Sequence, residues 1–279
     1  MKARAKMNNC RKFIAVFGMC ALAAPFRTFS FQQGMLIRAL IPVFLIFAAT
    51  PSSAAEVSVA DGDTLILNGV PYRLDGIEAP QTDQTCLDDK GAAWTCGIEA
   101  RDRLRDYVRK GDVRCTDRGA DSVYRKRRVG DCSVVGEAIS INQWMVQEGW
   151  ALNLDQSAKG RFKADRDNAS LNRMGLWKGC FVSPEVLRRF TISTASLLGA
   201  ACPKANNWPI RQRLFPDYPV MPPGCTIKGR IVQRAQITGY SGIYHLPICR
   251  SYERTKNPHR WFCSEEEAQA EGFRKSFTC

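Results

Sequence analysis

Acidic residues are absent from the first 55 positions of this chain, which carry seven Lys and Arg. Long hydrophobic runs are missing too. The best candidate, Leu36–Thr50, contains Arg38 and gives way at once to Pro51 and small residues. It is too short to be taken for a membrane span. A basic start, a short apolar stretch and Ser53-Ala54-Ala55, with small residues at −3 and −1, are the pattern of a secretory leader over 1–55. No stable span is then expected after cleavage, and the competing two-span anchor is the weaker fit. A second apolar patch at Phe13–Phe26 is odd for one leader and is accommodated if translation begins at Met35. Histidine is also scarce: only His245 and His259 occur, which excludes a histidine-based site upstream of residue 245.

What is present agrees with export. The chain has 40 Lys and Arg against 27 Asp and Glu, a net charge of +13. Without residues 1–55 the balance is 33 against 27, or +6, mildly basic and compatible with a polyanionic partner. Ten of the twelve cysteines lie beyond the leader. An even count in an exported chain is expected to pair as disulfides, in a secreted or periplasmic setting. Cys86–Cys96 and Cys115–Cys132 are the pairings expected in the first domain.

The chemistry is concentrated in Val57–Gln81. Asp61 and Asp63 flank one glycine, Asn68-Gly69 marks a tight hairpin, and Arg73 and Glu78 follow. Acids before one strand and after its partner converge at one end of a sheet, and carboxylates beside a guanidinium suit a hard cation and a phosphate. An isolated Asp-Gly-Asp-Thr is more often a tight turn than a metal site; the added Arg73 and Glu78 tip the balance. A two-residue turn pairs Thr64 with Arg73, and strict alternation then puts Asp63 and Arg73 on opposite faces unless a bulge or a curl intervenes.

V-x-D-G-D-T followed by R-L-x-G-I-x-A-P resembles the opening of the staphylococcal nuclease family, and the similarity continues to near Trp177. The resemblance implies an α+β protein: an OB-fold, a five-stranded β-barrel with packed helices, over residues 56–180. It implies a Ca2+-dependent endonuclease acting as a monomer on DNA or RNA. Asp63 and Glu78 would be metal ligands with the Ala79 carbonyl beside them, and Asp61 would act through water. Arg73 and Arg127 would grip the phosphate, with Arg125 the fallback for the second arginine. Two departures stand out. Glu78 replaces the family's aspartate, and Gln81 replaces the glutamate that would act as base, an amide that cannot take a proton. The alternative is therefore a weakly catalytic or non-catalytic nucleic-acid- or polyanion-binding protein of the envelope.

Gly97–Lys110 has helical spacing, 112–117 and 128–135 are expected strands, and Ser140 caps a helix over Ile141–Glu148. A mostly polar surface helix is expected within 158–178. Trp144, Trp150 and Trp177 are expected in the core rather than as base-stacking platforms. Seven of fourteen prolines fall between Pro184 and Pro223, which is expected to be a semi-rigid linker over 181–224 after a helical stretch near 184–190. Residues 225–279 form a small Cys-rich module that needs staples. Its sequence resembles the zinc module of Ada-type repair proteins, which places His245, Cys249, Ser276 and Cys279 at the ligand positions; serine is a poor zinc ligand, and with Cys263 standing in for it the Zn2+ ligands would be His245, Cys249, Cys263 and Cys279. The competing arrangement, which an oxidising compartment favours over zinc, pairs all four cysteines, for example Cys225–Cys263 and Cys249–Cys279. His259 is expected to be exposed, and Glu265–Glu267 to start a helix without needing a partner.

Overall fold

The structure, a computed structural model, describes residues 55–279 apart from 123, 155–158, 186–195, 204–207, 217 and 233–234. The expected leader and the expected start at Met35 lie outside the described residues, as does most of the helical stretch expected at 184–190. Residues Ser52–Cys279 form one compact unit. Its strands run β1 (Val57–Asp61), β2 (Thr64–Leu67), β3 (Val70–Leu74), β4 (Ile77–Glu78), β5 (Cys86–Leu87), β6 (Ala93–Trp94), β7 (Val113–Ala120), β8 (Arg128–Val134) and β9 (Leu152–Asn153). Helices α1 (Cys96–Val108), α2 (Ile141–Gln147) and α3 (Lys163–Leu171) pack beside them.

Asn68 and Gly69 take φ of 50° and 77°, the left-handed pair that a two-residue hairpin requires. β2 and β3 therefore meet with Leu67 opposite Val70 and Thr64 opposite Arg73, as the turn dictates. β1 adds antiparallel to β2 with an irregularity between Val59 and Asp61. β8 lies parallel to β3, and β7 antiparallel to β8. The sheet order is β1-β2-β3-β8-β7, with β1 and β7 as its two edges. This corrects the expected closed barrel: among the described residues no strand pairing joins those edges. Gly76, at φ 78°, turns the chain out of the sheet after β3, and β4 pairs with β9 instead of extending the row.

The helices form where apolar spacing and caps require. Ala100, Leu104 and Tyr107 recur on one face of α1 and are buried. Burying a leucine such as Leu104 contributes about 1.5–3 kcal/mol. Gly97 has to be glycine, since a Cβ there would lie 1.7 Å from the Gln81 carbonyl oxygen. Ser140 caps α2, its hydroxyl accepting from the Gln143 N–H at 3.1 Å. Asn142 on α2 accepts from Cys132 N–H and donates to the Asp75 and Gly130 carbonyls, locking that helix to β8. The expected surface helix shortens to α3 and is followed by a 3₁₀ turn at Gly175–Lys178. Trp150 and Trp177 are each 8% exposed and sit in the core; Trp144 is half-buried and packs against it, stacking on Tyr107 at 4.1 Å between ring centres.

The proline-rich stretch is docked over the residues described. There β10 (Phe181–Val182) pairs with β11 (Leu197–Leu198), Cys180 is bonded to Cys202, and α4 (Trp208–Leu214) follows. Leu214 and Phe215 are buried with Leu87 and Val182. The C-terminal module then builds its own sheet from β12 (Ile227–Ile231), β13 (Gly242–His245), β14 (Arg260–Phe262) and β15 (Phe273–Lys275), in the order β14-β12-β13-β15. Helix α5 (Glu265–Ala270) lies between the last two strands in sequence. Tyr244, Phe262 and Phe273 centre a separate apolar core.

Candidate active site

The acids meet where β1 turns into β2. Asp61 closes a short side-chain turn, accepting from the Asp63 N–H at 2.9 Å. Gly62 between them permits close packing, because a Cβ there would lie 2.7 Å from the Ala79 side chain. Asp63 accepts from the Thr64 hydroxyl at 3.1 Å and from the Ala79 N–H at 3.0 Å. Ala79 thereby joins the same turn through its backbone. Asp61, Asp63, Glu78 and Gln81 are at most 3% exposed.

Arg73 Nη2 donates to Glu78 Oε2 at 2.5 Å. One carboxylate oxygen each of Asp61 and Asp63 instead clusters within 4.8 Å with one from Glu271. Arg127, not the exposed Arg125, lies beside this group and is 5% exposed. It donates to Asp121 Oδ2 at 3.1 Å, to Glu271 Oε1 at 3.2 Å and to the Ala270 carbonyl at 3.1 Å. Gln81 is buried with neither side-chain amide atom hydrogen-bonded within the protein.

Glu271 had no sequence signal. It lies just over two hundred residues beyond the aspartates, at the end of a polar helical segment whose other acids suit a helix start. Nor is it alone in reaching across. Arg260 Nε donates to both Asp83 oxygens at 3.0 and 3.1 Å, and the Trp261 N–H donates to the same carboxylate at 2.9 Å. Glu267 accepts from the Thr82 hydroxyl and, at 2.8 Å, from the Cys263 N–H. The expectation that Glu265–Glu267 needs no partner is therefore corrected for Glu267, and for Glu265, which accepts from the Tyr244 hydroxyl at 2.7 Å. Burial pushes the Glu267 carboxyl up to about 7, against the lowering effect of its hydrogen bonds.

The zinc expectation is also corrected. Cys225 is bonded to Cys263 and Cys249 to Cys279, so the three cysteines expected as ligands have no thiolate to offer. His245 is bonded instead through Nδ1 to the Ser251 hydroxyl at 2.7 Å. Burial, with Arg230 and Lys228 nearby, pulls its pKa below the usual histidine value. His259 is not exposed: it is half-buried, and its Nδ1 accepts from the Ile231 N–H at 3.1 Å. The Cys86–Cys96 and Cys115–Cys132 pairs are as expected from the sequence; Cys180–Cys202 was not anticipated.

Fold and site together define an α+β protein that gathers buried carboxylates and a guanidinium at one end of an antiparallel hairpin. The chain belongs to the staphylococcal nuclease homologue family, which matches residues 71–179. It is 31% identical over 146 residues to the succinoglycan biosynthesis protein ExoI of Rhizobium meliloti (strain 1021), an alignment covering 52% of this chain and 74% of that protein. Arg73, Glu78, Gln81 and Arg127 lie within the family match, whereas Asp61, Asp63 and Glu271 lie outside it.

Proposed function

We propose that this protein is an exported phosphodiester hydrolase acting on DNA or RNA, slowed by Gln81. The observation that supports this most is the convergence of Asp61 and Asp63 oxygens with a third carboxylate within 4.8 Å, beside Arg127. Such a set of hard oxygen donors fits a calcium ion better than a soft metal. Asp61 and Asp63 would hold it, with Glu78 joining once Arg73 turns to substrate. The ion would supply charge for the phosphoryl oxygens and orient the attacking water.

The chain's own residues do the remainder. Arg127 and Arg73 carry guanidinium forks suited to two phosphoryl oxygens, and both must leave carboxylate partners to use them. Gln81 holds a water by hydrogen bonding but takes no proton from it. Five disulfides suit an oxidising compartment. The test is digestion of denatured DNA in calcium or chelator by the full chain and by Asp63→Asn. Cleavage that needs calcium and is lost in the variant supports the reading. Cleavage indifferent to both chelator and Asp63→Asn rejects it.

The buried amide of Gln81 also favours a second reading, a protein that binds polyanions in the envelope without turnover. The succinoglycan role in the relative's name suits that setting. Calcium-dependent oligonucleotide binding without hydrolysis would select it.

A further inference from the structure

We infer that the C-terminal module is a built-in occupant of this face, with the Glu271 carboxylate seated where a substrate phosphate would be held. The inference rests on the phosphodiester reading above. Glu271 accepts from Arg127 on one side and approaches the Asp61–Asp63 pair on the other. A phosphodiester bridging a metal ion on those acids and the same guanidinium would need that place. Carboxylate and phosphodiester are both singly charged oxygen acceptors that a guanidinium fork takes with similar geometry.

The surroundings show a fitted contact rather than a chance approach. The turn after α5 places Gly272 at φ +80°, and a Cβ there would lie 2.9 Å from the ring of Tyr124, three residues before Arg127. Asp83, only two residues from Gln81, is claimed by Arg260 and by the Trp261 backbone. With the module seated, Asp61 is 3% and Asp63 0% exposed. No polynucleotide reaches them in this arrangement.

Among the described residues no disulfide ties the module to this face. Both disulfides of residues 225–279 close within the module, and the other three close within 86–202. The module has its own apolar core, so it can leave the face as a body while the preceding proline-rich stretch keeps it tethered. Substrate and Glu271 then compete for one site, and apparent affinity falls by the fraction of molecules that are open.

The test uses the full chain, with Glu271→Gln removing the competing charge and Arg260→Ala loosening the seat at a distance from the acids. Three quantities are read for each: binding of a phosphorothioate-linked oligothymidylate in calcium, hydrolysis of single-stranded DNA, and amide hydrogen exchange over 57–67. Both variants are expected to bind the oligonucleotide about tenfold tighter or better, and Arg260→Ala to exchange faster over 57–67. Tighter binding without hydrolysis upholds the inference and rejects the hydrolase. Weaker binding by Glu271→Gln overturns it, since Glu271 would then be a ligand of the site rather than its competitor. Wild-type binding equal to that of Arg260→Ala, with exchange showing the face open, overturns it as well.

Discussion

Replacing Asp83 with asparagine takes one charge from an ion pair that water hardly reaches. The Asp83 side chain is 1% exposed and that of Arg260 9%. Asparagine keeps an oxygen for the Trp261 N–H, so the loss falls on the guanidinium, left charged and buried. Breaking such a pair by removing one partner costs about 3–5 kcal/mol. Glu271 and Glu267 also act on Arg260, which places the expected loss at the lower end, about 3 kcal/mol. For a unit of this size that corresponds to a Tm lower by roughly 6–12 °C. Urea unfolding of the full chain, followed by tryptophan fluorescence, measures it. Adding Arg260→Met should recover most of the loss, because no uncompensated charge then remains. A loss below about 1 kcal/mol, the range of an exposed pair, would refute the argument; so would a double variant whose losses simply add.

Gln81→Glu restores a carboxylate beside the proposed reaction centre and should raise the hydrolysis rate by on the order of 10²–10⁴; an unchanged rate in calcium would remove Gln81 as the cause of slow turnover. Glu267 is protonated more readily in the folded protein than in the unfolded chain, so its contribution is fully present below the ordinary glutamate range and is lost as pH rises toward about 7. Stability should fall by on the order of 3 kcal/mol across that window, and Glu267→Gln should flatten the profile measured by urea unfolding at several pH values. Gly97→Ala drives a methyl into the Gln81 carbonyl and should destabilise by more than about 3 kcal/mol; a Tm within a degree or two of wild type would show that the start of α1 yields easily.

Local features were legible in the sequence because their causes are local. Asn68-Gly69 dictated the Thr64–Arg73 register, and Ser140 dictated the start of α2. The same register exposed the difficulty with Asp63 and Arg73, and the protein meets it by sending Arg73 to Glu78. Sheet closure was not legible, since it depends on where Gly76 turns the chain out of the sheet. Nor could Glu271, Arg260 and Glu267 be tied to the acids. Their partners lie 177 to 185 residues away for the latter two, and no short-range pattern encodes a contact made by docking one core against another. The anchoring of the proline-rich segment was not legible for the same reason, since it comes from Leu214 and Phe215 meeting Leu87 and Val182.

The order of the disulfides along the chain bears on how the protein must be made. Cys86–Cys96, Cys115–Cys132 and Cys180–Cys202 each join successive cysteines of residues 56–279, so an oxidant that pairs thiols as they emerge yields the native bonds directly. Cys225–Cys263 and Cys249–Cys279 interleave, and pairing in order of emergence would instead join Cys225 to Cys249 and Cys263 to Cys279. Those bonds must be reshuffled by thiolate attack before the native pairs form. Oxidation of the chain without disulfide isomerase activity should therefore accumulate a nuclease-like portion that is correctly cross-linked, joined to a C-terminal portion that is not.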